Sequence, residues 1–203
     1  MLSRSRLLSL FAVAALALPV LVQAQNAAPS RIRGTVAAVG SNSVEVLTRE
    51  GKKLTLQLND ATRYSSVKAL ELSSIKQGSF IGTAGKPTAN GGIEALEVVV
   101  FPEEARGSGE GHYDWDLLPG SSMTNATVSA VVSGNAGRDL DLTYQGKNIK
   151  IQVPKDVPVV TFVPATVQDL KPGLTVFVVA SRSGEDWKAG RFVIEKDGVK
   201  PPM

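Results

Sequence analysis

Residues 51–58 read GKKLTLQL, and residues 146–153 read GKNIKIQV. In both stretches a Gly-Lys turn leads into a run in which apolar and polar residues alternate. Alternation with a period of two puts every second side chain on one face of a strand, which is typical of a β-strand with a single buried face. The two stretches match position by position, so they indicate an all-β chain built from two similar halves.

Three further pairs of segments follow the same order in both halves. They are residues 35–39 (TVAAV) with 127–131 (TVSAV), 75–78 (IKQG) with 170–173 (LKPG), and 95–100 (ALEVVV) with 189–194 (AGRFVI). Leu54 precedes Gly78 by the same 24 residues that separate Ile149 from Gly173. Ordered matches at near-constant spacing indicate an internal repeat. The alternative is that short amphipathic strands simply resemble one another.

Each half contains three alternating runs, a crossover and two further strands. Apolar residues at helical spacing over residues 67–75 predict a short helix or helical turn in the first crossover. This order favours two tandem five-stranded OB-like barrels, over residues 31–102 and 124–198, joined by a linker over residues 103–123. Barrel closure also removes exposed sheet edges. The alternative architecture is one continuous β-sandwich or barrel that uses all ten strands.

Residues 1–24 have the features of a secretory signal peptide. Arg4 and Arg6 precede a nearly unbroken apolar run over residues 7–22, and residues 22–24 (VQA) form a small-x-small cleavage site. The alternative is an uncleaved anchor, but a membrane span needs about 20 apolar residues and this run is short. We therefore expect a periplasmic or secreted bacterial protein that has no membrane span once the signal is removed.

The mature chain is nearly neutral. The whole sequence has 22 Lys and Arg against 19 Asp and Glu, and residues 1–24 contain two arginines and no acid, so 20 basic and 19 acidic residues remain. Nucleic-acid binding needs a basic surface, so we expect no nucleic-acid partner. The sequence has no cysteine, which excludes disulfides, a thiol nucleophile and a thiolate metal site.

The linker carries three potential metal ligands, His112, Asp114 and Asp116, at every second position. If the linker is extended, all three point to one face, where an imidazole and two carboxylates can hold Zn²⁺, Mn²⁺ or Ni²⁺. This interpretation predicts a metal-binding accessory protein of a transport system, with a divalent metal as its cofactor. On the simpler interpretation the linker is solvated, Asp116 caps the turn at residues 117–120, and there is no cofactor.

Tyr113 and Trp115 alternate with these polar residues. On one interpretation their rings form a stacking platform for a sugar or an aromatic ligand. On the other they pack across the junction between the two halves, because large rings are usually buried where elements meet. Junctions between domains are common ligand sites, so we expect binding contacts here.

The sequence offers little for catalysis. It has a single histidine, no cysteine and no Gly-x-Ser-x-Gly elbow, so no nucleophile–base pair is recognisable. Glu103 and Glu104, with Asp114 and Asp116, could supply the carboxylate pair of a glycoside hydrolase. We expect instead a non-enzymatic binding or scaffolding module whose partner is an unknown protein or small molecule of the periplasm.

Three segments carry a resemblance to a known family. They are residues 113–128 (YDWDLLPGSSMTNATV), 158–162 (PVVTF) and 196–203 (KDGVKPPM). They resemble a family of small exported proteobacterial proteins. The repeats of that family are classed as a domain of unknown function that resembles an OB-fold. Some members are labelled metal ABC transporter permease, a label that fits poorly here because a permease needs several spanning helices. The resemblance covers essentially the mature chain and implies no catalytic residues.

Overall fold

A computed structural model describes residues 29–134 and 137–203, which form an all-β protein. The signal peptide predicted over residues 1–24 lies outside the described residues. Within the two ranges the helical structure consists of single 3₁₀ turns at Leu72–Ser74, Glu103–Ala105 and Val167–Asp169. None of these helices is long and apolar enough to cross a membrane.

The same two ranges contain fourteen strands. In chain order they are β1 (Ser30–Val39), β2 (Ser43–Thr48), β3 (Lys53–Gln57), β4 (Arg63–Ala69), β5 (Phe80–Pro87), β6 (Ile93–Ala95), β7 (Val98–Val100), β8 (Gly111–Trp115), β9 (Ser121–Gly134), β10 (Gly137–Tyr144), β11 (Lys147–Pro154), β12 (Val159–Pro164), β13 (Thr175–Ser183) and β14 (Asp186–Ile194). Gly51 (φ 79°) and Gly146 (φ 74°) form the turns before β3 and β11. Only glycine adopts such angles without strain, which explains why both quoted stretches begin with it.

The strands close into circuits of hydrogen-bonded neighbours. In the first circuit, β1–β2–β3 form an antiparallel meander, β14 runs parallel to β3, and β13 pairs with both β14 and β1. In the second circuit, β9–β10–β11 form the meander, β6 runs parallel to β11, and β5 pairs with both β6 and β9. Each circuit therefore joins five strands.

The prediction of an all-β fold with a five-stranded barrel is confirmed, but the arrangement of two tandem barrels is not. Strands β1–β3 of the first half close with β13 and β14 of the second, and β9–β11 close with β5 and β6 of the first. Residues 31–102 and 124–198 therefore do not form separate barrels. Alternation decides which residues face the core but not which strand is the neighbour. Because both halves have one pattern, either can supply the closing strands.

Strands β4 and β12 join the two circuits at the centre of the molecule. They pair antiparallel with each other, while β4 also pairs with β14 and β12 with β7. All fourteen strands consequently belong to one sheet. The structure thus shares continuous pairing with the alternative architecture, although that alternative used ten strands in one sandwich or barrel and not fourteen strands with two closed circuits.

Each circuit encloses its own apolar core, and a third cluster lies between them. Leu56 and Phe192 are fully buried in the first core, and Leu140 and Ile151 in the second. The third group, which we call the junction cluster, consists of Val67, Val99, Val160, Phe177 and Val193. Strands β7, β13 and β14 contribute to it as well as to a barrel core, so they are buried on both faces and their apolar runs are nearly continuous.

The first crossover differs from its prediction. Residues 67–75 do not form a helix, because β4 continues to Ala69 and only Leu72–Ser74 form a 3₁₀ turn. Val67 is buried in the junction cluster from β4, whereas Ile75 is buried in the second core. Their helical spacing reflects two separate burial sites, and the prediction holds only as a single helical turn.

Candidate functional site

The middle of the predicted linker is an edge strand. β8 pairs antiparallel with β9, with Tyr113 opposite Met123 and Gly111 opposite Asn125. Residues directly opposite each other, and residues two apart, share a face of the sheet. Tyr113, Trp115, Met123 and Asn125 therefore point to the same side, which is the side of the junction cluster.

These side chains line a cavity of about 230 Å³ between the two halves. Its other walls include Val99 and Phe101 from the first half and Phe162, Phe177 and Val193 from the second. Neither half provides the cavity alone, because residues of both halves line it. The cavity is mostly apolar, as small-molecule sites usually are.

Aromatic rings form much of the wall. The ring centres of Tyr113 and Trp115 lie 6.2 Å apart, those of Trp115 and Phe177 lie 6.3 Å apart, and those of Phe101 and Phe162 lie 5.6 Å apart. The two tentative binding residues thus come together at one cavity, and they also pack across the junction. Whether they bind a ligand stays a prediction.

Two buried polar atoms of the cavity lining lack a hydrogen-bond partner within residues 29–134 and 137–203, namely Trp115 Nε1 and Asn125 Oδ1. Asn125 Nδ2 donates to the carbonyl oxygens of Ser108 (3.1 Å) and Gly109 (3.2 Å) and approaches the Tyr113 hydroxyl (3.3 Å). These oxygens orient the amide and leave its Oδ1 without a donor. Burying such atoms unpaired costs free energy.

Gly82 keeps one wall of the cavity open. A Cβ at this position would lie 2.6 Å from Asn125 Oδ1 and 2.9 Å from the Phe101 ring. Both distances are shorter than ordinary contacts, so any side chain here would displace a lining residue. The missing side chain therefore allows β5 to approach β9 and the ring of Phe101.

Asp116 is held by arginines of β1. Its Oδ1 accepts a hydrogen bond from Arg33 Nη2 at 2.8 Å and lies 3.9 Å from Arg31 Nη1. The Arg31 guanidinium in turn stacks 4.0 Å above the Trp115 ring. The predicted cap of the turn is therefore wrong: Ser121 Oγ, rather than Asp116, bonds to Leu118 in that turn.

The three predicted metal ligands do not converge. The part of the chain that the structure describes contains no group of three or more His, Asp and Glu side chains able to hold a metal ion. His112 Nδ1 lies 2.8 Å from Thr124 Oγ1, and Asp116 is paired with Arg33. The period-two argument failed because β8 ends at Trp115, so Asp116 lies in the following turn rather than on the strand.

Glu103, one of the acidic residues considered for hydrolysis, has a structural partner as well. Arg106 forms a two-pronged ion pair with Glu103, with Nη2 2.7 Å from Oε2. This hydrogen bonding holds the pKa of Glu103 below its ordinary value. A general acid needs the opposite shift, a pKa raised toward neutrality.

Glu97 is a notable residue that the sequence analysis did not single out. It lies between β6 and β7, it is 1% exposed, and neither carboxylate oxygen has a partner in the described ranges. Burial raises its pKa to about 8, while the charge of Arg33 acts in the opposite direction. The signal was present in the sequence, since Glu97 is the single charged residue within the apolar run ALEVVV of residues 95–100.

Comparisons of this chain with protein-family models, with curated proteins and with solved structures give no match. The resemblance carried by residues 113–128 is therefore tested by none of them, and the exported proteobacterial family stays a prediction. The interpretation of the cavity depends on its geometry and chemistry alone.

Proposed function

We propose that the protein is a non-enzymatic binding module that takes a small ligand into the cavity between its two halves. The observation that carries this proposal is the cavity itself, which is open to solvent on one side and has about 230 Å³ lined by five aromatic side chains. Trp115 Nε1 and Asn125 Oδ1 lack partners in the described chain. Both atoms are buried, so a ligand would satisfy them, and offset the cost of their burial, only after a lining side chain moves.

The dimensions favour a compact ligand. An engineered apolar cavity of roughly 150 Å³ is large enough to bind benzene. The cavity here, at about 230 Å³, therefore accommodates one substituted aromatic ring. Aromatic walls favour such a ring because offset and edge-to-face contacts add to the burial of its surface.

The pairing of the exchanged strands is equivalent in the two halves, which supports the view that the junction arose by internal duplication. Leu56 of β3 pairs in parallel with Trp187 of β14, and Ile151 of β11 pairs in parallel with Ile93 of β6. Leu56 and Ile151 occupy the same position in the two quoted stretches. We infer that a duplicated unit exchanged its closing strands, which makes the ligand cavity a property of both copies.

We propose that the module works in the periplasm or outside the cell. This rests on the signal-like residues 1–24. The test is the intact mass of the protein recovered from a periplasmic fraction. We expect a chain that starts at Gln25, and recovery of the full chain in the membrane fraction would contradict the proposal.

Ligand binding can be followed through Trp115. The sequence has two tryptophans, so Trp187→Phe leaves Trp115 as the single indole. Titration of this variant with phenylacetamide should change the Trp115 emission in a saturable manner. We expect a Kd below about 1 mM, equivalent to at least about 4 kcal/mol of binding free energy.

A matched pair of variants locates the binding site. Val179→Phe adds a ring at a position that lines the cavity, whereas Val132→Phe adds the same ring at a position on β9 that is 56% exposed. We expect the first to abolish binding of phenylacetamide and the second to leave it unchanged. The proposed function would be overturned if Val179→Phe and Val132→Phe bound phenylacetamide equally well. It would also be overturned if the Trp115 emission of the Trp187→Phe protein showed no saturable change.

A further inference from the structure

The cavity has a cationic group at its mouth, Arg191 of β14. Arg191 lines the cavity together with Val193, two residues further along the same strand. Its guanidinium carbon lies 4.7 Å from the ring centre of Phe162, another lining residue. The guanidinium is thus fixed over an aromatic wall, while the residue as a whole remains exposed.

Arg191 differs from the other arginines near the cavity because no acid compensates its charge. Within residues 29–134 and 137–203, no Asp or Glu oxygen lies within 4.0 Å of its nitrogens. By contrast, Arg31 and Arg33 share Asp116, and Arg33 Nε also donates to the Met203 carbonyl at 2.7 Å. Partial burial lowers the pKa of Arg191.

The neighbouring strand adds no negative charge next to Arg191. Its partner in register on β4 is Arg63, whose Nη1 donates to the Asp60 carbonyl at 3.1 Å. A second arginine therefore lies beside Arg191 in the sheet, and the cavity that Arg191 lines has a mostly apolar interior. Such a mouth attracts anions, and attraction in a partly desolvated site is stronger than in open water.

Building on the proposed function, we propose that the ligand is a small aromatic carboxylate, with its ring in the cavity and its carboxylate on Arg191. The guanidinium fork matches the two oxygens of a carboxylate, and this pairing is both strong and directional. The ring meets the aromatic walls and displaces water from them. Each part of the site thus recognises a different part of one molecule.

Phenylacetate and phenylacetamide provide a direct test, because they have nearly the same shape and differ in charge. We expect the unsubstituted protein to bind phenylacetate about tenfold more tightly than phenylacetamide, as one charge-assisted hydrogen-bond pair allows. Arg191→Gln should remove this preference, so that phenylacetate and phenylacetamide bind the variant with equal affinity. Arg182→Gln is the matched control, since Arg182 of β13 bonds to the Gly184 carbonyl away from the cavity, and it should keep the preference.

Salt provides a readout that needs no variant. An increase in NaCl from about 0.05 M to about 0.5 M should weaken phenylacetate binding severalfold and leave phenylacetamide binding unchanged. Equal affinity for the two molecules would overturn the anion proposal and leave the proposed binding function intact. Failure of both molecules to bind would instead overturn the proposed function.

Discussion

Ser30, the first residue of β1, is paired in register with Ala180 of β13, so the barrel formed by the N-terminal strands is closed by strands from the end of the chain. The same relationship recurs at β5 and β9, where Phe80 pairs with Thr127. The two halves are therefore joined by backbone hydrogen bonds rather than by side-chain contacts alone. This interdependence has measurable consequences for stability.

The exchange predicts that neither half folds alone. A fragment of residues 29–118 lacks β13 and β14, and a fragment of residues 119–203 lacks β5 and β6, so each loses the strands that close its meander. We expect each fragment to give an unfolded circular dichroism spectrum and an equimolar mixture to recover β-structure. A cooperative melting transition from either fragment alone would contradict this pairing.

The burial of Glu97 leads us to expect that the free energy of unfolding falls as pH rises. Its folded-state pKa of about 8 lies above the ordinary value of 4.5, so between these values the folded state binds a proton that the unfolded state has lost. The stabilisation is fully present below about pH 4.5 and is lost as pH rises through about 8. We expect a loss of a few kcal/mol in the free energy of unfolding, measured by urea denaturation at a series of pH values.

Glu97→Gln isolates this effect, because the neutral amide keeps the shape of the protonated side chain. The variant should be more stable than the parent above pH 8 and should have a flatter pH profile. Glu94→Gln is the control at an exposed position on β6, and it should keep the profile of the parent. An unchanged profile in Glu97→Gln would show that another group is responsible.

Gly82→Ala tests the close approach of β5 to the cavity. The new Cβ would stand 2.6 Å from Asn125 Oδ1, so the variant should lose about 1–3 kcal/mol of stability through overpacking. Gly190→Ala is a matched control on β14, where the nearest atom to a Cβ, the Val179 carbonyl oxygen, is 3.4 Å away. Thermal unfolding should rank Gly82→Ala clearly below Gly190→Ala, and equal melting temperatures would contradict the described wall.

Asp116→Asn tests the link between β1 and the turn after β8. The substitution removes the charge that Arg31 and Arg33 share, and the Arg33 side chain is only 10% exposed. We expect a loss of about 1 kcal/mol, reduced at high salt, because the pair is partly open to solvent. Asp141→Asn should lower the free energy of unfolding by less, since its partner Lys150 is 79% exposed. A larger loss of stability in Asp141→Asn than in Asp116→Asn would contradict this prediction.

The strands could be predicted from the sequence, but their partners could not. The alternation in residues 51–58 and 146–153 correctly indicated β3 and β11, because burial of one face imposes a period of two. Strand β3 could pair with β6 of its own half or with β14 of the other half, since the two strands are equivalent in the repeat, and in the structure it pairs with β14. That choice is made by the joint packing of both halves, and the local pattern contains no information about it.

Two of the residues that line the cavity were singled out from the sequence, and their role in binding stays a prediction. Tyr113 and Trp115 were recognised from their position between the halves, and they line the cavity. Arg191 was overlooked because β14 also contains Asp186 and Lys188, so nothing in the strand distinguishes it. Its proposed role depends on Phe162, which is distant in sequence. Asp116 was misassigned because the end of β8 could not be located to one residue.

The pairing of Ser30 with Ala180 also determines when the molecule can fold. During synthesis the first meander must wait for the last strands of the chain before its barrel can close. Contacts between such distant segments make folding slow, and the waiting edges can pair with other chains in the meantime. The first barrel therefore cannot close until the chain is almost complete, an order of folding that would suit the export that we propose.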